Sequence, residues 1–158
     1  MAVKPIPEGY RSLTPYLIVR EAARAIEFYQ RALGAVEIFR MAEPGGRIGH
    51  AEMRIGDSLV MLADEFPEVG AVSPQTLGGP GVTFLVYVED VDQAFARALA
   101  AGGRQLRPLK EQFYGDRSGS FEDPFGHHWT IASYKWQLTP EELAKGQEEW
   151  MRSMSSQS

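Results

Sequence analysis

The segment TPYLIVREAARAIEFYQRALG, which runs from Thr14 to Gly34, has a counterpart in TFLVYVEDVDQAFARALAAGG, which runs from Thr83 to Gly103. Each segment begins with β-branched and aromatic residues, as is typical of a strand. Each then continues with apolar residues at helical spacing and ends at glycine. The two copies are offset by 69 residues (83 − 14), and the shared order of elements indicates an internal repeat.

The helical part of each copy has one apolar stripe. The stripes consist of Ala22, Ile26, Tyr29 and Leu33 in the first copy and Val91, Ala94, Phe95, Ala98 and Gly102 in the second. Asp90 is placed to cap the second helix, with Gln93 at the third helical position. Both stripes predict helices that cover one face of a sheet.

Three short strand candidates follow each helix. They are residues 36–42, 48–55 and 58–63 in the first half, and 105–112, 118–122 and 127–134 in the second. The last two are joined by Asp123-Pro124-Phe125-Gly126, which is typical of a type I turn. Each half is therefore predicted to be a βαβββ module, with module one at about 13–64 and module two at about 82–135. A linker rich in proline and glycine, at about 65–81, separates them within a single domain of residues 1–158.

The end of the chain predicts one further helix, at about 139–152. Thr139 is the expected N-cap, Pro140 occupies the first helical position, and Glu142 completes a capping box. Residues 153–158 are expected to fray. Leu143, Trp150 and Met154 give the helix an apolar side that we expect to dock on the domain or on a second subunit.

Composition excludes several classes of function. The chain has 158 residues, no cysteine and a net charge of −5, so disulfides, thiolate metal sites and a thiol nucleophile are absent. An acidic chain without a basic cluster is not expected to bind nucleic acid. No apolar run approaches the length of a membrane span, and residues 1–7 lack the apolar stretch of a signal peptide, so we expect no membrane partner and a cytoplasmic location.

The repeat and several motifs resemble the vicinal oxygen chelate superfamily, which includes glyoxalase I, extradiol dioxygenases and bleomycin-resistance proteins. The motifs that look like its PhnB-like branch are residues 14–17, 26–29, 50–52, 112–119, 122–129 and the helix start at 139–142. The resemblance covers about residues 13–135. It implies an α+β fold in which two tandem βαβββ modules form a cupped mixed sheet with helices outside, together with the C-terminal helix.

In metal-dependent members of this superfamily, four His, Gln or Glu ligands project into the cup. Alignment on the motifs places those positions at Thr14, Met61, Thr83 and Thr130. Hydroxyls and a thioether do not provide the imidazole or carboxylate donors of a catalytic divalent site, so we expect no metal and no cofactor. His50, Glu52 and His128 form an alternative ligand set, which we consider less favourable than a polar role for His50 and a turn position for His127.

Alternation along the strands predicts which side chains face the cup. The candidate ligand-binding residues are Thr14, Tyr16, His50, Glu52, Met61, Thr83, Tyr87, Tyr114, Arg117, His128 and Thr130. Alternatively, the cup is filled by its own side chains, and Asp116 and Arg117 form a surface pair rather than a rim over the ligand. Glu52 in a poorly solvated cup is expected to have a raised pKa and to act, with His50, as an acid or base.

These observations favour a protein that binds a small organic molecule in a metal-free cup and sequesters it, as bleomycin-resistance proteins do. One alternative is a lyase, isomerase or dioxygenase with a shifted metal-ligand set. Another is a non-catalytic interaction module that uses its C-terminal helix. The resemblance also implies a homodimer, for which two-fold symmetry is usual.

Overall fold

Each half of the chain folds as a β-α-β-β-β module, which confirms the architecture expected from the repeat. The structure is a computed structural model that describes residues 3–157; Met1, Ala2 and Ser158, at the ends of the expected domain and tail, lie outside it. Module one contains β1 (Tyr16–Val19), α1 (Ala22–Leu33), β2 (Val36–Ala42), β3 (Ile48–Ile55) and β4 (Ser58–Asp64). Module two contains β5 (Thr83–Tyr87), α3 (Val91–Ala100), β6 (Arg104–Glu111), β7 (Asp116–Glu122) and β8 (His128–Tyr134).

The connecting and terminal segments are more regular than expected. The linker contains a 3₁₀ turn (Pro67–Val69) and a short helix, α2 (Pro74–Leu77). The C-terminal helix, α4 (Pro140–Ser155), extends past the expected end at 152, so residues 153–155 are helical rather than frayed. Its capping box between Thr139 and Glu142 is formed as predicted. Among residues 3–157, no helix combines the length and apolar character needed to cross a bilayer.

The strands form two four-stranded mixed sheets, one in each module, with the orders β1-β4-β3-β2 and β5-β8-β7-β6. The first strand of each sheet pairs in parallel with the last strand of its module, and the other pairs are antiparallel. Tyr16 lies opposite Met61, and Leu85 lies opposite Thr130. Both residues of the second pair follow those of the first by 69 positions, so the sequence repeat is also a repeat of register.

Side chains alternate between a buried and an open side of each sheet, as predicted. Leu17 and Val19 are buried under α1, whereas Tyr16, on the opposite face of β1, is half exposed. In β3, Ala51, Met53 and Ile55 are buried. This period-2 pattern gives each sheet one face packed on the helices and one face turned away from them. We call the second of these the open face.

The two modules share one hydrophobic core instead of each helix covering only its own sheet. α1 and α3 pack against each other, and the Phe28 ring lies 6.5 Å from Phe121 and 6.2 Å from Phe125 of the other module. The buried side of α1 is therefore wider than the predicted stripe: it includes Phe28, and Leu33 is only partly buried. An α-helix in contact with both a sheet and a second helix needs a broad apolar face.

The carboxylate of Asp123 joins the two modules. It is 3% exposed and accepts four hydrogen bonds. Oδ2 accepts from the Tyr29 hydroxyl at 2.6 Å and from Trp129 Nε1 at 2.9 Å, and Oδ1 accepts the backbone N–H groups of Phe125 and His127 at 2.9 and 3.0 Å. Tyr29 comes from α1 and the other donors from module two. The turn motif expected at 123–126 is thus present and also holds α1 in place.

The carboxylate of Glu65 holds the linker against module one. Oε1 accepts the Ser73 N–H at 2.7 Å and also the Thr76 hydroxyl, while Arg20 lies 3.4 Å from Oε2. Hydrogen bonds from Ser73 and Thr76, assisted by the positive charge of Arg20, lower the pKa of Glu65 from 4.5 to about 2. The ionised form of Glu65 is therefore the form that the folded linker favours.

We expect Tyr29→Phe to lower the free energy of unfolding by about 1.5–3 kcal/mol, because it removes a hydrogen bond to a charged acceptor. Urea denaturation measures the change. Tyr134→Phe is the control: Tyr134 is 59% exposed, and its variant is expected to stay within about 0.5 kcal/mol of the parent. Equal stability of the two variants would show that the Tyr29–Asp123 bond does not hold the modules together.

Glu65 is expected to make the linker sensitive to acid. Because its pKa is lowered in the folded state, its contribution to stability is complete above pH 4.5 and is lost as the pH falls toward 2. Glu65→Gln should lower the free energy of unfolding at pH 7 and flatten its decline over that interval. Denaturation curves at a series of pH values test this, with the exposed Glu68→Gln as control. A decline as steep in Glu65→Gln as in the parent would contradict the assignment.

Candidate functional site

The open faces carry most of the residues predicted to line a binding site. Tyr16 on β1 is 47% exposed, and Tyr87 on β5 is 61% exposed. The open faces are therefore accessible within one chain rather than filled by their own side chains. Leu85, two residues from Tyr87 on the same face of β5, is 50% exposed, and large apolar groups exposed together on a sheet are uncommon unless another molecule covers them.

On the first sheet, Tyr16, His50 and Glu52 form a hydrogen-bonded chain. The Tyr16 hydroxyl lies 2.7 Å from His50 Nδ1, and His50 Nε2 lies 3.1 Å from Glu52 Oε1. β3 presents His50 and Glu52 on one face because they are two residues apart, and β4 places Met61 between Glu52 and Tyr16. A neutral His50 with its proton on Nε2 satisfies both contacts, donating to Glu52 and accepting from Tyr16.

Glu52 is more acidic than predicted. Its pKa lies below the ordinary value, because Tyr10 and then His50 stabilise the carboxylate. The expectation of a raised pKa is therefore wrong: polar neighbours outweigh the loss of solvent. Glu52 is ionised at neutral pH and can orient His50, but it is poorly suited to act as a general acid.

Tyr10 is the member of this cluster that the sequence did not identify. Its hydroxyl is buried, and its interaction with Glu52 falls outside regular hydrogen-bond geometry. Burial and the neighbouring carboxylate raise the pKa of Tyr10 to about 12. Tyr10, Thr14, Glu52 and Met61 border a cavity of about 530 Å³, which residues 5–7 also line. The N-terminal segment therefore covers part of the first open face.

The second open face borders a larger cavity, of about 610 Å³. Thr130 on β8 forms a 2.8 Å hydrogen bond between its hydroxyl and that of Ser120 on β7, and Tyr114 lies beside them. α4 contributes Trp150 and Met154 to the opposite wall. Ser120 lies in no distinctive sequence motif, and its place in the cavity wall follows only from its pairing opposite Thr130.

Two more of the predicted residues on this sheet, Tyr87 and His128, are paired with carboxylates. The Tyr87 hydroxyl donates to Asp116 Oδ2 at 3.0 Å, and this hydrogen bond raises the pKa of Tyr87. Thr83 at the start of β5 lies opposite His128 on β8. His128 Nε2 lies 2.8 Å from Glu122, which also pairs with Arg104.

Arg117 does not face the site. It belongs to the helix-facing side of β7 and makes a two-point ion pair with Asp92 on α3, at 2.8 and 3.1 Å. The predicted rim position is therefore wrong, as is the alternative of a pair with Asp116, whose carboxylate binds Tyr87. Adjacent strand residues point to opposite faces, which separates Asp116 from Arg117.

The histidines do not assemble the alternative metal site. His128 pairs with Glu122 in the second sheet, whereas His50 and Glu52 lie on the first. His127 is buried at the turn, where Nε2 lies 3.0 Å from the carbonyl oxygen of Ile18. Within the described range, no three His, Asp or Glu side chains converge as a metal site would require.

The four positions that the motif alignment matches to metal-ligand positions do not provide metal ligands. Thr14 and Met61 border the cavity on the first sheet, and Thr130 borders the cavity on the second. Thr83 is exposed at the start of β5. The donors are three hydroxyls and a thioether, which are too weak to retain a catalytic divalent ion, and within one chain they are divided between two sheets.

Comparison with known proteins identifies relatives across most of the chain. A family model described as the Glyoxalase/Bleomycin resistance protein/Dioxygenase superfamily matches residues 12–131. An uncharacterised Mycobacterium tuberculosis protein is 45% identical over 123 residues, which cover 76% of this chain and 72% of the relative.

Solved structures show the same fold. TioX from Micromonospora sp. ML1 superposes with a TM-score of 0.61 at 26% identity, over 82% of this chain and 100% of TioX. The PhnB protein of Bacillus cereus superposes with a TM-score of 0.59 at 19% identity, over 78% and 99% of the two chains. At that identity the second likeness concerns the fold alone.

Tyr10→Phe is expected to raise the pKa of Glu52 toward its ordinary value of 4.5, because Tyr10 lowers that pKa more than any other group does. A pH titration of the Glu52 carboxyl carbon by NMR measures the shift. The control is Tyr114→Phe, which removes a tyrosine hydroxyl from the other open face. The role of Tyr10 would be refuted by a Glu52 pKa that is the same in Tyr10→Phe and in the parent.

Proposed function

Because the chain belongs to the Glyoxalase/Bleomycin resistance protein/Dioxygenase superfamily, we propose that it binds a small organic molecule on the open faces of its sheets, without a divalent metal, and sequesters it. The observation that carries this proposal is the composition of the open faces. Three hydroxyls and a thioether, from Thr14, Thr83, Thr130 and Met61, stand where a metal-dependent site would need imidazoles and carboxylates, and exposed aromatic side chains such as Tyr16 and Tyr87 share the same faces.

The size of the cavities supports a small ligand. The two cavities on the open faces have volumes of about 530 and 610 Å³, within the range of about 300–1,000 Å³ that is usual for small-molecule sites. Each combines apolar walls with a few hydroxyls. Sequestration requires affinity and shape, and no group that is poised for reaction.

We also propose that the protein is a homodimer. Leu85 is 50% exposed and Tyr87 is 61% exposed on the second open face, and Tyr16 is similarly uncovered on the first. A second copy related by a two-fold axis would bury these groups and enclose the cavities that one chain leaves open. The apolar residues of α4, none of which is buried, would add to such an interface.

The Tyr16–His50–Glu52 chain favours a second candidate, a metal-independent enzyme that transfers a proton. His50 is held by an ionised Glu52, and its Nδ1 can accept the Tyr16 hydroxyl proton while the Tyr16 oxygen takes a proton from a bound molecule. Glu52 would stabilise the positive charge on His50 in that step. Such a relay suits an isomerase or lyase whose substrate has an acidic C–H or O–H.

A thermal-shift screen of small aromatic and aliphatic compounds, in the presence of EDTA, tests the first proposal. A ligand at 100 times its Kd should stabilise the protein by about 2.7 kcal/mol, and EDTA should leave this unchanged. Tyr16→Ser and Leu85→Ser, on the two open faces, should reduce the stabilisation. Val69→Ser removes a valine that is 74% exposed in the linker, away from both cavities and from α4, and serves as the control.

Three outcomes would contradict the proposal. Stabilisation that disappears with EDTA, together with a transition metal found by elemental analysis, would indicate a metal-dependent enzyme. Stabilisation by no compound in the screen would favour an interaction module. Chemical conversion of a stabilising compound, lost in His50→Gln, would select the proton-transfer enzyme over sequestration.

A further inference from the structure

Two β-bulges in β6 place three cations on one face of the second sheet. Arg104, Arg107 and Lys110 lie opposite Glu122, Ser120 and Ser118 of β7, respectively. Since the three partners are two residues apart on β7, they share the open face, and so do the three cations. In a regular strand, residues three apart would point to opposite faces. Here, one extra residue before Arg107 and another before Lys110 shift the alternation, so that all three cations point to the same face.

The second bulge contains Pro108, which lacks a backbone N–H and is tolerated where ladder pairing is interrupted. Its neighbour Leu109 packs against the hydrophobic core. The core thus anchors the strand on one side while the bulge directs Arg107 and Lys110 to the other. Bulges that re-aim side chains occur frequently beside binding sites.

The three cations differ in their partners. Arg104 pairs with Glu122 at 3.1 Å, whereas Arg107 and Lys110 form no ion pair within residues 3–157. Both unpaired cations line the 610 Å³ cavity, and none of the residues that line it is acidic. The chain as a whole carries 21 acidic and 16 basic side chains, so a cavity with two cations and no carboxylate is contrary to its overall charge.

The other wall of this cavity is apolar and aromatic. α4 approaches the 112–115 loop closely at Gly146, where an added Cβ would lie 3.1 Å from Phe113. This approach brings the Trp150 ring to 6.0 Å from Phe113 and places Trp150 and Met154 over the open face. A flat aromatic group can stack between these side chains while Ser120 and Thr130 remain within the cavity.

We infer that the ligand of this cavity is an organic anion with an apolar, aromatic body. Its carboxylate or phosphate group binds Arg107 and Lys110 through charge-assisted hydrogen bonds, and its ring lies under Trp150. The inference rests on the proposed binding function and adds to it a site and a ligand class. α4 is then one wall of the binding site rather than only a tail docked on the domain.

Isothermal titration with naphthalene-1-carboxylate and with its uncharged amide tests the inference. The carboxylate should bind about tenfold more tightly than the amide at low ionic strength, and added salt should reduce the difference. Arg107→Ala/Lys110→Ala should abolish the preference for the carboxylate. Trp150→Ala should weaken binding of both probes equally, because it removes the contact with the ring.

Arg54→Ala/Lys4→Ala is the matched control, because it removes two positive charges, as Arg107→Ala/Lys110→Ala does. Both side chains are exposed, Arg54 on the open face of the first sheet and Lys4 in the N-terminal segment, and neither lines the cavity. The preference for the carboxylate should persist in this variant. Thermal unfolding of each variant verifies that the fold is kept.

The outcomes separate this inference from the proposed function. Equal affinity for the two probes, no binding of the carboxylate, or a preference that survives Arg107→Ala/Lys110→Ala would overturn the inference. In each of these cases, stabilisation by uncharged compounds that Leu85→Ser reduces would leave the proposed function standing. Failure of every compound to stabilise the protein would refute both the inference and the proposed function.

Discussion

The Asp123 carboxylate is the point at which α1 of the first module is attached to the β7–β8 turn of the second, and the arrangement of the two sheets depends on this attachment. A buried carboxylate is tolerated only where hydrogen-bond donors satisfy it. Of its four donors, Tyr29 belongs to module one and the other three to module two. Displacing either module would leave the charge partly unsatisfied. The carboxylate therefore selects one packing of α1 against the second module among those that the apolar side chains alone would permit.

This shared core also determines where binding can occur. Because α1, α3 and one face of each sheet bury most of the apolar residues together, the other face of each sheet is left uncovered. The N-terminal segment covers part of the first open face, and α4 covers part of the second. Each cover leaves a cavity beneath it. The repeat thus produces two similar sheets, but the N-terminal segment covers part of one and α4 covers part of the other.

The two open faces differ in charge although their first and last strands pair in the same register. On the first, Tyr10 and His50 stabilise an ionised Glu52, and His50 is also hydrogen-bonded to Tyr16. On the second, the bulges of β6 present Arg107 and Lys110 without carboxylate partners. The same module architecture therefore carries a Tyr–His–Glu hydrogen-bonded chain in one half and a cationic cavity in the other, so the chemistry of each half lies in its side chains rather than in the fold.

The sequence by itself determined the elements, their order and the face of each strand that is buried. These properties depend on local spacing: period 2 in strands such as β3, period 3.6 in α1, and capping residues such as Asp90, whose side chain accepts the Gln93 N–H. The repeat of 69 residues reappears in the pairing of Tyr16 with Met61 and of Leu85 with Thr130. Local spacing was sufficient to predict these properties, because each depends on residues that are close together in the chain.

Only the tertiary structure decided which side chains meet. Arg117 was expected at the rim, but an ion pair with Asp92 on α3 holds it on the other face. The acidity of Glu52 depends on Tyr10, which lies 42 residues earlier in the chain (52 − 10), and the bulges that align Arg107 with Lys110 break the alternation on which strand predictions rely. Contacts between distant segments and departures from regular pairing have no local signature, because they are settled by the packing of the whole chain.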